Sequence, residues 1–148
     1  MEAVQVEQQE TGTSAAAYAM NDLDRPAVLV VDDDTDVRKL VGLVLKDHAV
    51  VLEASNAEEA IRKLDIATVP GSAIQRIRAV LVDIMMPGMD GIALCRRIRR
   101  EFNIPVIMLT ARSSPADVEA AVRNGASDYI VKPFDYRLLV DKVSKHLG

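Results

Sequence analysis

Three consecutive acids, Asp32, Asp33 and Asp34, follow the apolar run Val28-Leu29-Val30-Val31. Like charges about 4 Å apart repel by roughly 4 kcal/mol at an effective dielectric near 20. Gly, Asn or Ser would end a strand without that repulsion. Other chemistry-bearing residues stand in comparable places: Asp83 after Leu81-Val82, Thr110 after Met108-Leu109, and Lys132 after Ile130-Val131. Gathered at one edge, the acids invite a hard divalent cation, since Mg²⁺ typically takes one or two carboxylates with waters and phosphate oxygens. A hydroxyl and an ammonium beside them can donate to an anion. The set points to a cation and an oxyanion handled together.

For that, the fold must bring distant segments to one place. Short apolar runs rich in Val and Ile, at 28–31, 50–54, 79–82, 105–109 and 129–131, predict strands buried on both faces. Helical patterns lie between them. The first has Val37, Leu40, Val41, Val44 and Leu45 on one face. The second opens at Asn56 with Glu59 three residues on, close to a capping box, and turns Ala60, Ile61 and Leu64 inward. The third has an inner stripe of Ile92, Cys95, Ile98 and Phe102. The fourth opens at Ser114-Pro115 and closes at Asn124-Gly125. The fifth starts near Asp135 and uses Leu139, Val143 and Leu147. Alternation of this kind predicts an α/β fold, a doubly wound parallel sheet with helices on both faces. Ligands of such sheets bind beyond the carboxyl ends of the strands, at the switch in strand order. The acids, Thr110 and Lys132 all fall at those ends.

Composition sets the limits. A chain of 148 residues with 49% apolar content suits one domain, read as residues 26–148 behind a flexible tail of residues 1–25. The net charge of −4 argues against chain-wide attraction to nucleic acid or to an anionic membrane, and neither is expected as a direct partner. The single cysteine, Cys95, excludes an intrachain disulfide and suits a reducing cytoplasm. No apolar run approaches the ~20 residues of a membrane helix. Glu2, Glu7 and Glu10 do not make a secretory signal.

At Val30-Val31-Asp32-Asp33-Asp34, Leu81 to Gly91 (LVDIMMPGMDG), Met108-Leu109-Thr110-Ala111-Arg112 and Asp128 to Phe134 (DYIVKPF), the sequence resembles the receiver domain of two-component response regulators. The resemblance implies a five-stranded flavodoxin-like (βα)5 fold with strand order 2-1-3-4-5. It implies that Asp83 is the phosphoacceptor. Asp33, helped by Asp32, would hold Mg²⁺ (or Mn²⁺) with Asp83 and the backbone carbonyl of Met85. Thr110 resembles the switch hydroxyl, Lys132 the lysine that pairs with the phosphoryl group, and Tyr129 the aromatic that moves with Thr110. Met85 and Arg112 stand at positions that flank the phosphoryl group in the family. The implied partners are a sensor histidine kinase or a histidine phosphotransfer protein upstream. Downstream stands a protein partner or an output domain missing from this chain, reached through the helix 4, strand 5 and helix 5 face. The implied protein is cytoplasmic and no enzyme beyond its own Mg²⁺-dependent phosphorylation and dephosphorylation. A phosphatase of the haloacid-dehalogenase type would also form an aspartyl phosphate, but it wants Asp-x-Asp-x-Thr after the first strand, and here Asp36 stands in place of Thr.

Other conspicuous residues have plainer readings. Asp34 is expected to serve the start of the first helix. Arg96, Arg97, Arg99 and Arg100 around Ile98 read as the wet face of the third helix. Cys95 reads as core, His48 and His146 as surface, and Met85, Met86 and Met89 as loop packing, because thioethers do not suit Mg²⁺.

Overall fold

In the computed structural model, which describes residues 25–69, 76–86, 88–111 and 114–148, strand β1 (Ala27–Val31) is buried at every position. It lies inside a parallel five-stranded sheet with β2 (Val50–Ala54), β3 (Ile77–Asp83), β4 (Val106–Thr110) and β5 (Asp128–Val131), in the order β2-β1-β3-β4-β5. The expected order is the one found. Between the strands run α1 (Thr35–Leu45), α2 (Ala57–Ala67), α3 (Gly91–Glu101) and α4 (Pro115–Arg123), and α5 (Tyr136–Ser144) follows the last of them.

Alternating strand residues feed two cores. Leu29, Val31, Val80, Val82 and Met108 pack with Ala60, Ile61 and Leu64 of α2, Leu94, Cys95 and Ile98 of α3, and Ala121 of α4. Val28, Val30, Leu81, Ile107 and Leu109 pack with Val41 and Leu45 of α1 and Leu139 and Val143 of α5. Burying a Val or Leu side chain contributes about 1.5–3 kcal/mol, so these two layers hold the strand ends in register. One expectation fails at the edge. β2 is only partly buried at four of its five positions, and β5 is buried only at Ile130, because an outer strand has a neighbour on one side alone.

The helix starts follow the sequence signals. Asp34 accepts from the Asp36 amide at 2.9 Å, Asn56 from Glu59 at 2.9 Å and Ser114 from Asp117 at 3.2 Å. Glu59 closes its box on the Ser55 amide (2.7 Å) rather than on the cap residue itself. α4 ends with Gly125 at φ +99°. A feature that no sequence pattern announces is a two-residue antiparallel ribbon, Met85–Met86 against Met89–Asp90. It folds the chain back immediately after Asp83, and Gly91 then packs so tightly that a Cβ there would strike the Asp83 carbonyl.

Residues 1–24 of the expected tail, residues 70–75, Pro87, Arg112 and Ser113 lie outside the described residues. Arg25, the last tail residue, donates to the Lys46 carbonyl at 2.5 Å.

Candidate functional site

The strand order reverses between β1 and β3, and their carboxyl ends carry the acids. Asp83 is the last residue of β3 and Asp32 follows β1 directly. One carboxylate oxygen each from Asp32, Asp33 and Asp83 lies within 4.8 Å of the others. Asp32 is 1% exposed and Asp83 6%, whereas Asp33 faces solvent. Two buried acids and one open acid at this spacing are a donor set that hard oxygen-seeking cations fit.

The cluster carries its own counter-charge. Lys132, one residue beyond β5, places Nζ 2.7 Å from Asp32 Oδ2 and 3.3 Å from Asp83 Oδ2. Asp32 Oδ1 accepts from the Asp34 amide (2.9 Å), and Asp83 Oδ1 accepts from the Met85 amide (3.1 Å). Burial first, and then the charge of Asp32, push the Asp83 carboxyl above its ordinary pKa, while Lys132 and the Met85 amide pull it back. Burial works against the Lys132 charge, but the hydrogen bond and charge of Asp32, with those of Asp83, outweigh it and raise its pKa. The site is thus an acid cluster whose repulsion a single ammonium offsets.

Thr110, the last residue of β4, is 3% exposed, and its carbonyl accepts from the Lys132 amide at 2.7 Å. The backbone thereby joins the hydroxyl-bearing strand end to the lysine-bearing one. Tyr129 lies in β5 opposite Met108, packs against the α2–α3–α4 core, and is partly buried. Lys142 of α5 spans its surroundings: Nζ donates to Asp128 Oδ1 (2.8 Å) and to the Tyr129 carbonyl (2.9 Å), and lies 5.1 Å from the ring centroid. Burial works to raise the Asp128 pKa, but the Lys142 hydrogen bond and the Tyr129 amide hold it low.

The structure therefore brings Asp32, Asp33, Asp83, Met85 and Lys132 together and sets Thr110 beside them through the backbone. Tyr129 stands on the neighbouring strand. Asp34 is left to cap α1, as expected. Met85 and Met86 diverge: Met86 is buried, while the Met85 side chain is 61% exposed beside the acid cluster. Arg96, Arg97 and Arg100 face solvent around buried Ile98, and Cys95 is core, its thiol pushed by burial to a pKa of about 11. His48 is exposed and His146 partly so. No sequence signal marks Arg38, Glu53 or Lys142, for which an amphipathic pattern shows only polar positions.

A doubly wound sheet with buried acids at its switch point, and a hydroxyl and a lysine at the neighbouring strand ends, defines a small α/β domain with its polar site at the carboxyl edge of the sheet. The profile of the response regulator receiver domain matches residues 28–144, and the chain belongs to that family, the receiver domains of two-component systems. The DNA-binding response regulator MtrA of Mycobacterium tuberculosis is 38% identical over 130 residues, 85% of this chain and 52% of MtrA. The transcriptional regulatory protein ResD of Bacillus subtilis is 38% identical over 125 residues, 84% of this chain and 49% of ResD. The BeF3-activated DrrB receiver domain superposes with a TM-score of 0.71 at 28% identity, covering 82% of this chain and 96% of that one. The chain spans about half the length of the curated relatives it matches. These relatives correct one expectation. The net charge argues against nucleic acid as a direct partner, yet MtrA is a DNA-binding regulator. Charge summed over a receiver describes those residues alone and does not decide what a regulator of this kind binds.

Proposed function

We propose that this receiver takes a phosphoryl group onto Asp83 from a phosphohistidine of a sensor kinase or phosphotransfer protein. A carboxylate oxygen of Asp83 attacks phosphorus, the P–N bond breaks, and the departing imidazole nitrogen keeps the electron pair and takes up a proton. The observation that carries this reading is the buried Asp83 carboxylate with Lys132 Nζ 3.3 Å away, inside a cluster of acids at the switch point. Such transfer asks a protein for positioning and charge neutralisation more than for covalent help. Asp33, Asp32 and Asp83, with the Met85 carbonyl, are the residues that would hold Mg²⁺ or Mn²⁺. The bound ion would neutralise charge on the incoming phosphoryl oxygens.

In this reading Lys132 and Thr110 both donate to the product's phosphoryl oxygens. Two bonds to charged groups, at roughly 1.5–3 kcal/mol each, total roughly 3–6 kcal/mol. Moving a two-state equilibrium from 1:99 to 99:1 takes about 5.5 kcal/mol, so the two contacts are of the right size for a switch. The change would pass through Tyr129 to the face formed by α4, β5 and α5 and on to a partner. By analogy with MtrA and ResD, that partner is an output module of a transcriptional regulator. The protein acts in the cytoplasm and turns over no substrate beyond its own aspartyl phosphate. No helix among the described residues is long and apolar enough to cross a membrane.

The test is intact mass after incubation with a small acyl phosphate, with and without Mg²⁺. One Mg²⁺-dependent phosphoryl adduct is expected, absent in Asp83→Asn. An adduct that survives that substitution refutes the assignment of the acceptor, and multiple turnover of ordinary phosphate esters would make the protein a phosphatase instead.

A further inference from the structure

Asp33 differs from its two partners in how it is held. Asp32 is fixed by Lys132 and the Asp34 amide, and Asp83 by Lys132 and the Met85 amide. Among the described residues no hydrogen bond reaches the Asp33 carboxylate, which faces solvent. What places it is its backbone. The Asp32 amide donates to the Ala54 carbonyl (3.1 Å), and the Asp32 carbonyl, half of the Asp32–Asp33 peptide, accepts from Arg38 Nη1 at 2.6 Å.

Arg38 is itself anchored. Its Nε donates to Glu53 Oε1 at 3.0 Å and its Nη2 to Thr35 Oγ1 at 3.1 Å, with the side chain only 13% exposed. Glu53 is tied in turn, since its carbonyl accepts from Lys63 of α2. A planar fork with fixed donors on two sides is a rigid strut, which a lysine cannot reproduce. The arrangement is unusual electrostatically, because it sets a cation behind a site whose acids would attract another. Glu53 offsets that charge.

We propose that Arg38 is a positioning residue for the cation site. Braced on Glu53 and Thr35, it holds the Asp32–Asp33 peptide so that the Asp33 carboxylate stays within the cluster. The proposal rests on reading Asp32, Asp33 and Asp83 as that site. Its sign is opposite to simple electrostatics. Removing a positive charge near a cation site should tighten cation binding, whereas removing a strut should weaken it.

The experiment is Mg²⁺ titration of the whole chain by calorimetry, with melting temperature in EDTA recorded for each variant. Loss of an outer partner of a metal ligand typically costs 10–100-fold in affinity, so about 10-fold weaker Mg²⁺ binding is expected for Arg38→Met. Arg38→Lys keeps the charge but loses the fork, and should weaken binding nearly as much. Glu53→Gln, a milder change for use if Arg38→Met fails to fold, should weaken it about 3-fold by loosening the brace. In an Asp33→Asn background, Arg38→Lys should have no further effect on Mg²⁺ affinity, because the two act through one ligand. Unchanged or tighter Mg²⁺ binding in Arg38→Met and Arg38→Lys overturns the proposal, as does full additivity with Asp33→Asn. If the wild-type chain binds no Mg²⁺, the reading of the site fails and the proposal falls with it.

Discussion

Asp83→Asn should stabilise the cation-free protein. The substitution keeps the shape of the side chain and an oxygen to accept from the Met85 amide, and removes one charge. With oxygens at most 4.8 Å apart, repulsion by Asp32 is at least about 3.5 kcal/mol at an effective dielectric of 20. Attraction by Lys132 at 3.3 Å is about 5 kcal/mol on the same scale. The two leave at most about 1.5 kcal/mol in favour of the charge, which the desolvation of a buried carboxylate, several kcal/mol, exceeds. That balance agrees with the raised pKa of Asp83, for which burial is the largest cause. Because its pKa is raised on folding, ionised Asp83 lowers stability as pH rises past its unfolded value of 3.8, and the penalty is complete once pH exceeds the raised folded value. Removing it should contribute about 1–2 kcal/mol, or about 3–8 °C in melting temperature for a domain of this size. The assay is thermal unfolding at pH 7 in EDTA, repeated at saturating Mg²⁺, where the wild-type chain should gain stability and Asp83→Asn should gain little. A lower melting temperature for Asp83→Asn in EDTA would show that Lys132 dominates the cluster and would refute this charge balance.

Lys132→Met should cost about 3–5 kcal/mol in urea unfolding, because it leaves Asp32, 1% exposed, as a buried charge without its partner. In the wild type the same pair's contribution is complete below pH 10.5, the ordinary lysine value, and is lost as pH rises past the raised folded value, which alkaline unfolding would follow. Lys142→Met should raise the Asp128 pKa from its depressed value, since burial is then opposed only by the Tyr129 amide and the charge of Lys145; carboxyl NMR titration reads this directly. In the wild type, the stability tied to Asp128 is present above pH 3.8 and fades as pH falls through its depressed value. Gly91→Ala should destabilise by about 1–3 kcal/mol in urea, because its methyl meets the Asp83 carbonyl. An unchanged unfolding midpoint would mean that the ribbon gives way without cost.

The placement of the candidate site is legible where one residue type stands at one strand end. Asp83, Thr110 and Lys132 each stand where a strand stops, and the alternation of apolar runs with amphipathic stretches leaves few ways to arrange those stops. The caps at Asp34, Asn56 and Ser114 are readable because a side chain serving the next turn is a local event. What escapes depends on relations between segments. Leu40 fits the apolar face of α1 by spacing but is 36% exposed, while Val41 and Leu45 take the buried positions. Leu94 falls outside the expected stripe of α3 and is buried at 4%, since the inward face runs through Gly91, Leu94, Cys95 and Ile98. Arg38 looks like any polar helix position, and nothing within α1 announces that Glu53 waits on β2.

Asp32 and Lys132, joined at 2.7 Å, lie 100 positions apart in the sequence. Between them runs most of the folded chain, with four of the five strands and four of the five helices. The pocket therefore needs both ends of the folded domain in place. A nascent chain still lacking β5 has acids with no ammonium, and a domain that loses its final strand and helix loses the counter-charge before it loses the first core. Only a molecule folded through to Lys132 carries the ammonium that offsets the buried charges of Asp32 and Asp83.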